Sequence, residues 1–238
     1  MRRLLVLLLA LAFPAATTAA PPRLTVDAAS SLTEVFPRID PAPRYQFAGS
    51  DQLALQIQQG QPADVLAAAS PRYPEQLYRQ GLVEKPIVFA TNTVVLIVPR
   101  ANPAGIHSVY DLTKPGVKLV VGDPAVPIGA YTQKALAALK LSVKPVSFET
   151  DVKQVVAKVA LGEADAGFVY SSDVKPVQGK VGVVRIPAVA SPTATYEIAI
   201  VKGTKHHAAA VAFVQRVLRE RGRSLLHQAG FGPVLRPR

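Results

Sequence analysis

From Arg23 to Gly230, strand-forming and helix-forming runs alternate almost without a break, and this alternation leaves few folds open to the chain. RLTVDA reads as a strand, LTEVFPRI as a short helix and YQFAG as a second strand. QLALQIQQG follows as a helix stopped by Gly60, ADVLAAA as a third strand, and PEQLYRQGL as a helix ending near Gly81. NTVVLIVPR is the strongest strand in the sequence, stopped by Pro99. The pattern then starts afresh with YDLTKPG, strand KLVVGD, helix YTQKALAALK and VSFE. DVKQVVAKVALGEAD sets Val152, Val155, Val156 and Val159 on one helical face. Strands AGFVYSSD, GVVRIP and YEIAIVKG come next. HHAAAVAFVQRVLRERGRSLLHQAG closes the chain as a helix or helix pair.

Alternation of this kind predicts parallel sheets covered by helices on both faces, an α/β protein. The chain has 238 residues, enough for two lobes with substantial cores. It leaves one set of elements and comes back late, which predicts two α/β lobes joined by two crossings, near Phe89–Thr91 and near Thr193–Tyr196. Lobe I is expected to hold residues 21–90 plus 196–238, and lobe II residues 91–195. Each lobe is expected to be a mostly parallel sheet flanked by helices, with a ligand cleft between the two. In open α/β sheets ligands sit beyond the carboxyl ends of the strands. The strand-to-helix junctions therefore carry the interest.

Residues 1–20, MRRLLVLLLALAFPAATTAA, have a basic start, an apolar stretch from Leu4 to Phe13, a breaking Pro14 and then small residues. That is the layout of a secretory signal, too short for a membrane span, with cleavage expected after Ala19 or Ala20. The rest of the chain is expected to be exported and soluble. Cysteine is absent, which excludes disulfides, thiolate metal sites and a cysteine nucleophile. A lipid anchor on an N-terminal cysteine is excluded with them. Free solution in a periplasm is the expected location, without lipidation. The net charge of +11 drops to about +9 when Arg2 and Arg3 leave with the leader. Lys and Arg are scattered singly, with no aromatic interleaving, so nucleic acid is not an expected partner. A positive field favours solubility and mild steering of small anions.

At the first junction, AASSLTEVF, Ser31 and Glu34 match the capping-box pattern. Capping alone would explain the serine. A helix start also presents backbone N–H groups with partial positive charge, and Ser30 and Ser31 add small hydroxyl donors. The second junction, FAGSDQLALQI, repeats the design: Gly49 allows a close turn, and Ser50 or Asp51 can cap. In VVGDPAVPIGAYTQKAL two prolines and Gly129 shape a loop that enters a helix. In ETDVKQVV, Thr150 or Asp151 is the expected cap and Val152 the first helical residue. In AGFVYSSD, Tyr170 ends a strand with its hydroxyl free to reach a cleft or to pack on a rim. Several helix starts with small or hydroxyl residues and few charges suit an anion that accepts hydrogen bonds and gives no protons.

The segments AASSLTEVF, FAGSDQLALQIQQGQPADVLAAA, NTVVLIVPR, GDPAVPIGAY, DVKQVVAKVALGEADAGFVYSSD and QAGF, in this order and spacing, resemble the periplasmic molybdate-binding proteins of ABC importers. The resemblance runs over essentially the whole chain after the leader. It implies the two-lobed periplasmic binding protein fold of type II. It also implies an oxyanion site made of the hydroxyls of Ser31 and Ser50, the backbone amides of Ile128 and Val152, and the hydroxyl of Tyr170. The ligand would be molybdate, with tungstate next, held without direct metal ligation and without any cofactor. A membrane permease would be the partner of a monomeric receptor. The sequence departs from the family at Asp51, where a small or hydroxyl residue is common, and at Asp27, where an apolar or small one is. The GDPAVPIGAY loop is about one residue shorter than the common form, and Ile128 is bulkier than the usual alanine. The two carboxylates are expected to turn away from an oxyanion or to cap a helix.

Other readings are weaker. A serine hydrolase would want a G-x-S-x-G elbow, which neither serine junction supplies, so no enzyme is expected. The histidines are His107, His206, His207 and His227, and the adjacent pair points in different directions on a helix. A ferric receptor would want clustered His, Tyr and carboxylates, and Tyr170 and Tyr196 are too isolated to make that case. Sulfate remains the alternative within the oxyanion reading.

Overall fold

The computed structural model describes residues 23–234. The expected leader, residues 1–20, lies outside them. The strands are β1 (Thr25–Ala29), β2 (Arg44–Ala48), β3 (Val65–Ala68), β4 (Ile87–Pro99), β5 (Leu119–Gly122), β6 (Ser147–Glu149), β7 (Ala166–Tyr170), β8 (Val181–Val184) and β9 (Thr193–Ile200). The helices are α1 (Phe36–Ile39), α2 (Ser50–Gln58), α3 (Arg72–Arg79), α4 (Pro127–Ala138), α5 (Val152–Ala160), α6 (Ser171–Val174), α7 (His207–Leu218) and α8 (Glu220–Gln228). Short 3-10 turns fill Ser30–Leu32 and Val109–Thr113.

The strands form one curled sheet in the order β2-β1-β3-β9-β4-β7-β5-β6, with β8 added on β4. Its two ends are parallel, β2-β1-β3 and β7-β5-β6. The middle is antiparallel, because β9 pairs β3 and β4, and β4 pairs β7 and β8. The parallel ends follow from helical crossovers between strands. The antiparallel middle was not legible in the alternation, since it comes from two strands that serve both halves. Strand β4 pairs β9 up to Thr93 and β7 from Val94 onward. A register shift between Val88 and Ala90 bends it beforehand, as an extra residue in one strand does. The C-terminal segment returns to this middle, where Thr91 and Gly232 form a bridge.

Local sequence accounts for most helices. In α5 the valines at positions 152, 155, 156 and 159 are all buried, on the face predicted. A buried valine contributes roughly 1.5–3 kcal/mol over an exposed one, so this face alone fixes α5 on β7 and β5. Gly60 and Gly162 follow α2 and α5 at φ 82° and 76°, the left-handed conformation that ends a helix at low cost. One apolar cluster lies under α2 and α3, with Leu53, Ile57, Leu66 and Leu77 at its centre. A larger one runs through the remainder of the sheet. The junctions β1 to the 3-10 turn, β2 to α2, β5 to α4, β6 to α5 and β7 to α6 all lie at carboxyl ends of strands.

Candidate functional site

Those junctions meet at a small cleft. Ser31, Ser50, Ile128, Val152 and Tyr170 all line it, so the five positions singled out in the sequence are brought together. The space open to the centre of a water-sized sphere is about 10 Å³, the size of a site for one small guest.

The serines reach the cleft differently from what the sequence predicts. Ser31 caps nothing, because β1 passes into a tight 3-10 turn whose N-cap is Ala29 and which carries no side-chain cap. The capping box with Glu34 therefore does not form. Ser31 Oγ lies 2.8 Å from the hydroxyl of Tyr196 on β9 instead. At the second junction the N-cap is Gly49, so Ser50 is the first residue of α2 and neither Ser50 nor Asp51 is the cap. Ser50 Oγ accepts a hydrogen bond from the Ala69 N–H at 3.1 Å. Both hydroxyls thus have a protein partner on one side and the cleft on the other.

The starts of α4 and α5 follow the sequence more closely. Ile128 is the second residue of α4, after Pro127, and Val152 is the first of α5. N–H groups in a first helical turn have no carbonyl partner within their helix, and the helix dipole adds positive potential there. Asp151 is the N-cap of α5, as predicted, accepting from the N–H of Lys153 at 2.7 Å and of Gln154 at 3.2 Å. Among the described residues it is the only carboxylate that lines the cleft, and helix capping occupies it. No Lys, Arg or His lines the cleft among the described residues.

Tyr170 closes the arrangement. It is 1% exposed, ends β7 and stacks edge-on with Tyr131 and Tyr196. Its hydroxyl has no hydrogen-bond partner among the described residues. Burial, reinforced by Tyr196, Tyr131 and Asp173, pushes its pKa well above the usual tyrosine value. The group is therefore a neutral O–H donor at any working pH.

The two unusual aspartates stay out of the cleft. Asp27 pairs in register with Leu66, so it faces the apolar cluster beneath α2 and α3. Neither of its carboxylate oxygens has a partner. Burial, with Asp64 as a second cause, raises its pKa from the ordinary 3.8 to about 6. Asp51 folds back over Gly49. Burial raises its pKa, the N–H groups of Asp51 and Gln52 oppose the rise, and Asp123 and Asp151 add to it. Ile128 also costs the cleft little, since its Cγ2 occupies the room left by Gly122, which has no side chain.

Contacts span the cleft from the β1–β3 side to the β5–β7 side. The Tyr73 hydroxyl donates to the Ala125 carbonyl. Lys153 Nζ stands 3.9 Å from Glu34 across the cleft and 3.5 Å from Asp173 on its own side. Residues 43–232 match the family model for bacterial extracellular solute-binding proteins. A molybdate-binding protein of Mycobacterium tuberculosis is 40% identical over 228 residues, 92% of this chain and 87% of the relative. The chain belongs to the bacterial extracellular solute-binding proteins, in the family of this relative.

Solved structures agree with that membership. The substrate-binding domain of a putative molybdenum ABC transporter from Clostridium difficile superimposes with a TM-score of 0.67 at 30% identity, covering 90% of this chain and 99% of that one. The periplasmic molybdate-binding protein of Azotobacter vinelandii reaches a TM-score of 0.79, covering 91% and 100%; at 21% identity it speaks to the fold alone. In this solute-binding protein the sequence reading missed the groups behind the serines. Asn92 and Tyr196 are buried, and Asn92 is a buried amide inside β4, the longest strand among the described residues, next to its apolar run Val94–Val98. That mismatch was the available signal.

Proposed function

We propose that the protein captures molybdate, with tungstate next, for import by an ABC transporter. The ligand would sit between lobe I, residues 21–90 plus 196–238, and lobe II, residues 91–195. It would be held by the hydroxyls of Ser31, Ser50 and Tyr170 and the backbone N–H groups of Ile128 and Val152. The observation that carries this reading is the Tyr170 hydroxyl, a buried donor without a partner among the described residues, in a cleft lined by other neutral donors. Leaving a buried polar group unpaired costs about 1–3 kcal/mol, which an oxyanion would recover.

The chemistry of this set suits a fully deprotonated dianion. Hydrogen bonds to an ionised acceptor are about twice as strong as neutral ones. Fixed dipoles avoid the desolvation of a side-chain cation. Direct metal ligation finds little support, as no group of three His, Cys, Asp or Glu residues is suitably clustered among the described residues. A hydrolase reading is equally unsupported, because the partner of Ser31 is a tyrosine and that of Ser50 a backbone N–H, neither of them a base. No cofactor enters this scheme. The receptor would work as a periplasmic monomer, freed from its leader and not lipidated, and its closed form would dock on a membrane permease. No helix among the described residues is long and apolar enough to cross a membrane.

A panel of molybdate, tungstate, sulfate, phosphate and ferric ion, read by thermal shift, tests the reading. Molybdate at about a thousand times its dissociation constant should add ~4 kcal/mol of stability. A shift with ferric ion alone, or with none of the panel, would overturn it.

A further inference from the structure

The hydrogen bonds behind Ser31 have a direction, and that direction can be read from groups with only one role. Asn92 Oδ1 lies 3.0 Å from the backbone N–H of Thr93 and 2.8 Å from Ser171 Oγ. A backbone N–H only donates, so this side of the Asn92 amide is the carbonyl oxygen. Its Nδ2, a donor only, then faces Ser172 Oγ at 2.8 Å and the Tyr196 hydroxyl at 3.5 Å. With a donor on one side, the proton of Tyr196 has Ser31 Oγ, at 2.8 Å, as its acceptor. Ser31 can therefore receive a hydrogen bond from behind, which leaves its own proton free for the cleft. Ser50 has the same polarity by simpler means, because the Ala69 N–H donates to its oxygen.

We propose that Tyr196, supported by Asn92, is a specificity-determining positioning residue that holds Ser31 with its proton toward the ligand. This deepens the oxyanion reading above and rests on it. The consequence is selection by protonation state. A fully deprotonated tetrahedral anion meets the Ser31 proton directly, whereas hydrogen phosphate must place its own proton against a Ser31 oxygen that already accepts from Tyr196. Burial, the first cause, pushes the Tyr196 pKa well above its usual value, so the phenol keeps the proton it gives to Ser31.

The test is a double-mutant cycle on the whole exported protein, with molybdate and inorganic phosphate titrated by calorimetry in mildly alkaline buffer. Tyr196→Phe keeps the ring, which packs against Tyr170, Phe89 and Phe231. It should weaken molybdate binding about 10-fold and narrow the gap between molybdate and hydrogen phosphate, since Ser31 is then free to turn and accept. In a Ser31→Ala background the same change should have no further effect. Equal losses in both backgrounds, or an unchanged molybdate-to-phosphate ratio, would overturn the proposal while leaving the oxyanion site intact. No loss from Ser31→Ala itself would overturn the site as well. Should Tyr196→Phe fail to fold, Asn92→Ala reads the same coupling to Ser31, with a smaller loss expected and additivity again contradicting it.

Discussion

A methyl group on Gly49, at the start of α2, would stand 2.6 Å from the carbonyl oxygen of Thr150, just before α5. The backbone of Gly49 is at φ −61° and ψ 139°, which any residue adopts. The glycine is therefore there for close approach across the cleft and not for conformational freedom. A Cβ would also meet Asp51 Oδ1 at 2.5 Å, but that is the end of a side chain and can swing away. Backbone against backbone cannot.

Gly49→Ala should consequently hold the two sides of the cleft apart without disturbing either. The expected outcome is a loss of molybdate affinity of about 10-fold or more, with the melting temperature of the ligand-free protein little changed. Calorimetry and thermal unfolding on the same sample check this. Full affinity in the variant would show that closure does not need this contact.

Each serine should contribute both to stability and to binding, and the two effects can be measured separately. Ser50→Ala leaves the buried Ala69 N–H without its acceptor, so it should lower ligand-free stability by ~1–3 kcal/mol as well as weaken binding. Ser31→Ala leaves the Tyr196 hydroxyl still accepting from Asn92 but with no acceptor for its own proton, so a stability loss of the same order is expected. Each should cost roughly 1.5–3 kcal/mol of binding, about 10- to 100-fold. Denaturant unfolding without ligand, set beside calorimetry with it, distinguishes the two effects.

Asp27 gives a pH dependence. Its pKa is raised on folding from 3.8 to about 6, so the folded chain holds this proton more tightly than the unfolded one. The group therefore costs nothing below pH 3.8, and its cost grows as pH rises toward 6 and is fully present above it. About two units correspond to an expected 2–3 kcal/mol. Asp27→Asn should stabilise the protein at neutral pH and make no difference near pH 3.8. Melting curves of both proteins across that range check the sign; equal stability at pH 8 would contradict it. Glu197, whose pKa burial and then Glu75 raise to about 7, should act the same way over a window reaching higher.

Much of this arrangement was legible in the sequence because it is local. The valine face of α5, the cap at Asp151 and the strand end at Tyr170 each follow from neighbours a few residues away. The partners of the serines were not legible, since Ser31 meets Tyr196 across 165 positions and Ser50 meets Ala69 through a backbone group that no side chain announces. The Ser31 capping box failed for a related reason: serine and glutamate at the right spacing fit an α-helix, but the chain turns there as a 3-10 segment. The antiparallel pairing of β4 with β9 was hidden too, as it depends on which strands meet between the halves.

The central claim is that a buried neutral hydroxyl, without a partner among the described residues, is completed by a dianion. Tyr170→Phe tests it most directly, because it removes one oxygen atom and no hydrogen bond within the described residues. Molybdate titrated into the variant by calorimetry should bind about 10- to 100-fold more weakly than into the unaltered protein, while the ligand-free melting temperature stays the same or rises. Unchanged molybdate affinity in that variant would contradict the account.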